Sequence, residues 1–88
     1  MGGHPVVSSA AVPDKRRAEL TTAKIRRGAL LVPKSHRRKI GAGDGTACNG
    51  CGEIITATEK MHSARVDGVV DLRFHDSCYT AWTIFRSQ

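Results

Sequence analysis

Two pairs of metal-binding residue types constrain most strongly what this chain can fold into. Cys48 and Cys51 form a C-x2-C pair, and His75 and Cys78 form an H-x2-C pair after 23 intervening residues. Two such pairs joined by a short domain's length of chain are the arrangement of a structural zinc site. Three thiolates and one neutral imidazole complete a tetrahedral shell, so we expect one structural Zn2+ per chain and no open catalytic position.

The cysteines leave two other interpretations open. A C-x2-C pair is also typical of a redox dithiol, so Cys48 and Cys51 are a candidate thiol redox pair, and inert buried thiols are a further alternative. Three cysteines cannot all pair with one another, which excludes a framework made only of disulfides. Gly50 and Gly52 fit a tight turn that needs positive φ and points backbone N–H groups at sulfur. The remaining histidines have no second ligand at a useful spacing and are expected to be solvated or packed: His4, His36 and His62.

Charge and core-forming residues divide the chain into two halves. Residues 1–47 hold ten Lys and Arg against three acidic residues, whereas residues 48–88 hold four against five. All four aromatic residues and all three cysteines lie in the second half. A domain of about 40 residues rarely folds on its hydrophobic core alone and needs a metal, disulfides or a partner. We therefore divide the chain into a flexible tail (1–13), a basic helical and linker extension (14–47) and a zinc-binding domain (48–88).

The extension is predicted to be partly helical. Asp14 is a candidate N-cap for a helix over about 14–31, which Pro33 ends. Gly28 interrupts the helical pattern, and the apolar residues do not form a clean stripe. Residues 34–39 are interpreted as a basic linker, and the glycine-rich run 41–45 as a flexible approach to the first cysteine.

The second half has a sharper pattern. A knuckle covers 48–52, and strands over 59–66 and 69–74 are joined by Asp67-Gly68, a strong signal for a two-residue hairpin turn. The pattern then becomes helical, because Cys78, Ala81, Trp82 and Phe85 recur at i, i+3, i+4 and i+7. Knuckle, hairpin and helix, with two ligands from the knuckle and two from the start of the helix, predict a small α+β domain of treble-clef-like architecture.

Two longer motifs contain the ligands. The first is G-x-G-x-x-C-x-x-C-G-x-x-I over residues 43–55, and the second is F-H-x-x-C-x-x-x-W over residues 74–82. With these motifs, residues 28–86 resemble a group of small bacterial proteins that have no established activity. The C-x2-C…H-x2-C spacing is also similar to the first zinc module of LIM domains. The resemblance implies zinc ligation by Cys48, Cys51, His75 and Cys78. No further C-x2-C pair follows Cys78, so neither a second zinc nor the partner specificity of LIM domains is implied.

The basic extension predicts a binding partner. Ten cations within residues 15–39 are typical of salt-dependent, largely sequence-independent binding to DNA or RNA. A solvated basic surface with no partner is about as good an interpretation, and a docking segment for an acidic protein partner is a further alternative. The candidate phosphate contacts are Arg16, Arg17, Arg26, Arg27, Lys34, Arg37, Arg38 and Lys39.

Other function classes find little support in the sequence. There is no paired acid–base constellation, no phosphate-binding P-loop motif and no H-x-E motif beside the cysteines, so we expect neither an enzyme nor a small-molecule substrate. No apolar run approaches the roughly 20 residues that a membrane span needs. The first thirteen residues lack the basic and apolar regions of a secretory signal. The expected location is therefore the cytoplasm.

Overall fold

The computed structural model describes residues 12–86, so most of the predicted tail over 1–13 lies outside the described residues. The described part is a small α+β structure with two helices and one three-stranded antiparallel sheet in the order β1-β2-β3, which confirms the predicted α+β class. The elements are α1 (Asp14–Arg26), β1 (Arg37–Ala42), β2 (Lys60–Val66), β3 (Val70–His75) and α2 (Asp76–Arg86).

The predicted hairpin is present. His62 of β2 lies opposite Phe74 of β3, and Ala64 lies opposite Leu72. All four are buried, so this face of the sheet covers the core. Side chains alternate between the two faces of a strand, which accounts for this pattern of burial.

The hairpin turn differs from the prediction in length. Asp67 and Gly68 both adopt positive φ, 54° and 71°, as an Asp-Gly turn requires. Pairing begins at Val66 and Val70, however, so three residues rather than two connect the strands. The N–H of Val69 donates to the carbonyl of Val66 at 3.1 Å and closes the turn.

The first helix is shorter than predicted. It ends at Arg26, and Gly28 follows with φ +77°. The N–H of Gly28 donates to Ile25 O, and the N–H of Ala29 donates to Lys24 O, both at 3.0 Å. These two bonds form a Schellman motif, so the helix is ended by Gly28 and not by Pro33.

The start of this helix also differs from the prediction. Pro13 occupies the N-cap position, and Asp14 is the first helical residue without a capping hydrogen bond. The Asp14 carboxylate still lies in the first turn, where a negative charge interacts favourably with the helix dipole.

The segment predicted to be a basic linker contributes a strand. β1 pairs antiparallel with β2, with Arg37 opposite Arg65 and Ala42 opposite Lys60. Every residue of β1 is exposed. The strand therefore lies at the edge of the sheet. It is held by backbone hydrogen bonds to β2 and not by burial of its side chains in the core.

The core lies between the sheet, α2 and the segment after α1. In α2, Cys78, Ala81 and Trp82 of the predicted stripe are buried, whereas Phe85 is only partly buried, and Tyr79 is buried beside them. The indole Nε1 of Trp82 donates to the carbonyl of Leu31 at 2.7 Å, which joins the segment after α1 to α2. Neither described helix is long and apolar enough to cross a membrane. The core cluster comprises Leu30, Cys48, Ile55, Ala64, Val66, Leu72, Phe74, Cys78, Tyr79 and Trp82.

Candidate metal centre

The four predicted ligands converge in one place. One ligand atom from each of Cys48, Cys51, His75 and Cys78 lies within 4.8 Å of the other three. The first two come from the knuckle, His75 is the last residue of β3, and Cys78 lies in the first turn of α2. Cys48, His75 and Cys78 are at most 2% exposed, and Cys51 is partly buried. The fold thus brings three thiol groups and one imidazole together in a nearly closed pocket.

The distance between one pair of donors and the chemistry of the donor set fit a zinc ion. In a tetrahedral site, a sulfur at 2.3 Å and a nitrogen at 2.0–2.1 Å from the ion lie about 3.6 Å apart. The Sγ of Cys51 lies 3.4 Å from Nδ1 of His75. Sulfur-rich donor sets with one imidazole are typical of structural zinc and exclude hard ions that prefer oxygen ligands. The residues present therefore fit Zn2+, with Nδ1 as the ligand atom of the histidine.

The other ring nitrogen of His75, Nε2, lies close to two oxygen atoms of the protein. Its Nε2 lies 3.3 Å from the carbonyl oxygen of Ile54 and 3.4 Å from Oε1 of Glu59. Donation of this N–H to a carbonyl or carboxylate fixes the ring orientation and leaves Nδ1 available to a metal, as is usual for histidine ligands.

The surroundings of Cys48 in the knuckle favour its thiolate form. A hydrogen bond from the Cys78 thiol and backbone N–H groups around the sulfur lower the pKa of Cys48 to about 4. The N–H of Gly50 lies 3.3 Å from this sulfur, as the sequence predicted. The bond to Cys48 and burial raise the pKa of Cys78, and burial raises that of Cys51. Three sulfurs this close cannot all be anionic without a cation, so bound metal would compensate the charge.

The two knuckle glycines have different roles. Gly52 has φ +87°, as predicted, whereas Gly50 does not adopt positive φ, so that part of the prediction is wrong. A Cβ at Gly50 would instead lie against Oγ1 of Thr21 and 2.9 Å from Cβ of Cys78. Gly50 is required because there is no space for a side chain between the knuckle and two helices.

Helix α1 packs against the site. Thr21 of α1 is fully buried, and its hydroxyl donates to the Arg17 carbonyl at 3.0 Å. That carbonyl lies 3.7 Å from Sγ of Cys78. Lys24 Nζ donates to the Asn49 carbonyl of the knuckle at 2.9 Å. The metal pocket is therefore completed by residues that precede the first cysteine by more than 20 positions in the sequence.

A carboxylate links this helix to the histidine ligand. Glu59 accepts a hydrogen bond from Arg17 at 3.0 Å and another from the Thr56 N–H at 2.9 Å. These bonds, the Thr56 backbone first, lower the pKa of Glu59 to about 2. Glu59 therefore stays anionic and stands between an arginine of α1 and His75.

Asn49 joins the knuckle to the sheet. Its N–H donates to the Arg73 carbonyl and its side-chain oxygen accepts from the Arg73 N–H, both at 2.7 Å. This pair continues the β3 ladder into the knuckle and fixes Cys48 relative to His75.

Sequence reasoning missed Thr21, Lys24, Asn49 and Glu59. Only Asn49 carried a signal, because it lies inside the C-x2-C pair. The other three act through contacts with residues at least 16 positions away, which local spacing does not reveal.

Two of the histidines outside the site are packed, as expected. The ring of His62 stacks on Tyr79 with centroids 4.5 Å apart, and its Nε2 lies 2.7 Å from Oδ1 of Asp76. His36 lies edge-on to Trp82 at 4.7 Å. His4 lies outside the described residues.

The candidate phosphate-binding cations are spread over two elements. On α1, Arg17 is only 12% exposed and is paired with Glu59, so it faces the protein rather than solvent. On β1, Arg38 lies over the ring of Tyr79 at 5.4 Å. The other candidates are exposed: Arg16, Arg26, Arg27, Lys34, Arg37 and Lys39.

Comparisons with protein-family models, with curated proteins and with solved structures found no match for this chain. The function is therefore argued from the site itself, and the resemblance to bacterial single-zinc proteins stays a prediction.

Proposed function

We propose that the chain is a structural zinc-binding module, in which one Zn2+ held by Cys48, Cys51, His75 and Cys78 stabilises the fold for use as a binding scaffold. The observation that carries the proposal is the convergence of these four side chains, three of them almost fully buried, from two distant segments. Four protein ligands would fill a tetrahedral shell, and their burial excludes solvent, which supports a structural rather than catalytic role.

A zinc ion would contribute much of the stability. Structural zinc sites in small domains contribute roughly 10–16 kcal/mol to folding near pH 7, comparable to or larger than the whole stability of a typical domain. Here the ion would join the knuckle to both β3 and α2. Knuckle, hairpin and helix follow one another in the order of a treble clef, and we interpret the architecture as treble-clef-like, with α1 and β1 added.

The test is metal content together with thiol accessibility. We expect one zinc per chain by elemental analysis and protection of all three thiols from alkylation until a chelator is added. Replacement of His75 by Asn should abolish stoichiometric zinc, whereas the matched variant His62→Asn should keep it, because His62 faces Tyr79 and Asp76. Freely alkylated thiols in a folded, metal-free protein would contradict the proposal and favour a redox dithiol at Cys48 and Cys51.

A nucleic acid is the partner that we propose for this scaffold. The chain has a formal charge of +6 and a pI of about 9.8, and most of the candidate cations face solvent. Clustered Lys and Arg bind phosphates by releasing counterions, so affinity should fall steeply with salt. The alternative is an acidic protein partner. Recovery of one stoichiometric protein that resists nuclease would support that alternative, whereas nuclease-sensitive recovery of RNA or DNA would support the nucleic acid.

A further inference from the structure

The sheet has a cationic outer face. Because His62, Ala64, Leu72 and Phe74 point to the core, the residues that alternate with them point the other way, and one of these, His75, belongs to the metal centre. In the register of the sheet, Arg37 lies opposite Arg65, and Lys39 lies opposite Ser63, which lies opposite Arg73. The outer face is defined here by Arg37, Lys39, Met61, Ser63, Arg65, Asp71 and Arg73.

This face forms a hollow with an excess of positive charge. The hollow has a volume of about 660 Å³ and is lined by the four cations of the outer face, by one carboxylate and, at its edge, by Arg38 of β1. The carboxylate, Asp71, is already held by Arg65 through two bonds of 3.0 Å. The Nε of Arg73 is buried and has no hydrogen-bond partner among residues 12–86. Asp71 therefore compensates one charge, and Arg73 also lies close enough to Asp71 and Asp44 to interact with their charges. The cations of β1 and the unpartnered Nε of Arg73 remain for an anionic ligand.

We propose that the outer face binds the phosphodiester backbone of a single-stranded nucleic acid, an inference that rests on the nucleic-acid function proposed above. Neighbouring strands lie about 4.8 Å apart, so the three strands span roughly 10 Å between backbones, and side chains widen the face further. The major groove of duplex DNA admits a two-stranded ribbon, and a three-stranded sheet presented face-on does not fit it. A single strand has no such restriction.

The composition of the face determines what is recognised. Met61 is the large apolar side chain of the face, Ile40 adds apolar surface to the hollow, and no aromatic ring lines it. Bases therefore have no stacking platform there, and a peptide would find little apolar surface. Arg37 and Lys39 are two residues apart on one strand, a separation of roughly 7 Å that suits successive phosphates of an extended chain. Binding should therefore follow phosphate charge and be largely independent of sequence.

The expected salt dependence follows from the number of cations. Three to four phosphate contacts give a slope of log K against log salt of about −2 to −3 for a single strand. This corresponds to a loss of affinity of about 20- to 50-fold between about 50 and 200 mM salt.

The experiment compares two variants that lose the same charge. Fluorescence anisotropy would follow binding of labelled oligo(U) and oligo(dT) of about 12 nucleotides to the zinc-loaded full chain. The variant R37Q/K39Q removes two cations from the outer face, and R16Q/R27Q removes two exposed cations outside it. We expect the first variant to lower the magnitude of the slope by about 1.4, and by more than the second variant does. The control K15Q/K60Q removes two exposed cations that are neither on the outer face nor among the candidate phosphate contacts, and it should leave the slope nearly unchanged. Arg73→Gln tests the opposite side of the face independently, and zinc content checks the fold of each variant.

The outcomes separate this inference from the function on which it rests. If R16Q/R27Q loses binding while R37Q/K39Q and Arg73→Gln retain it, the outer face is wrong and nucleic-acid binding stands. No binding by the unaltered protein at low salt would overturn both. Preference for a duplex of equal length, or equal affinity for poly-glutamate, would overturn the assignment to a single-stranded nucleic acid.

Discussion

Replacement of Gly50 by Ala tests whether α1 covers the metal pocket. Gly50 is buried in the knuckle, and a Cβ there would lie against Oγ1 of Thr21 and 2.9 Å from Cβ of Cys78. Insertion of a methyl group into a packed site costs about 1–3 kcal/mol. For a domain of this size, each kcal/mol corresponds to roughly 4–8 °C in the melting temperature. The zinc-loaded variant should therefore melt at a clearly lower temperature than the unaltered protein.

Two other glycines provide matched controls. Gly41 has open space and no positive φ, so Gly41→Ala should change the free energy of unfolding by less than about 1 kcal/mol and in the stabilising direction. Gly52 also has open space but has φ +87°, so Gly52→Ala should cost roughly 1–2 kcal/mol through backbone strain alone. The three variants separate crowding from conformational strain.

A double variant identifies the crowding atom. Thr21→Ala removes the hydroxyl that a Cβ at Gly50 would meet, so the two changes together should cost less than the sum of the separate costs by about 1 kcal/mol. Urea unfolding followed by circular dichroism measures this coupling. Additive costs, or a melting temperature for Gly50→Ala equal to that of Gly41→Ala, would refute the packing of α1 on the knuckle.

Three further predictions concern the ion, the core and the helix contact. Chelation, or the substitution Cys51→Ser, should unfold the domain and shift the fluorescence of the single, fully buried Trp82 to the red. An unchanged emission spectrum after complete zinc removal would contradict a folding role for the metal. Trp82→Phe should cost about 1–3 kcal/mol in urea unfolding, since the Leu31 carbonyl loses its donor, and an unchanged midpoint would argue against that bond. Glu59→Gln should lower stability by about 1–2 kcal/mol because Arg17 loses its charged partner, and a melting temperature equal to that of the unaltered protein would exclude this role.

The ligand set and the hairpin could be predicted because their signals are local. A C-x2-C pair, an H-x2-C pair, a period of two and an Asp-Gly turn are all contained in short windows. Each of these features is present in the structure, although the turn is one residue longer than expected. The end of α1 also has a local signal, because Gly28 forms its C-terminal motif, and the prediction that the helix continues to Pro33 is wrong for that reason.

β1 could not be predicted from its own residues. A strand exposed along its whole length has no alternation of apolar and polar residues, and its position depends on the hydrogen bonds offered by β2. The contribution of α1 to the metal pocket was missed for a related reason. Thr21 is a small polar residue in a basic helix, and only the tertiary contact with Gly50 and Cys78 gives it a role.

The edge position of β1 has a consequence for self-association. An exposed edge strand offers unpaired backbone groups to any second strand, and many β-proteins aggregate by this route. Here, Arg37, Arg38 and Lys39 stand consecutively along that edge. Two molecules that joined these edges would place six cations in one short ladder, and the resulting repulsion should keep the protein from polymerising through its sheet at low ionic strength.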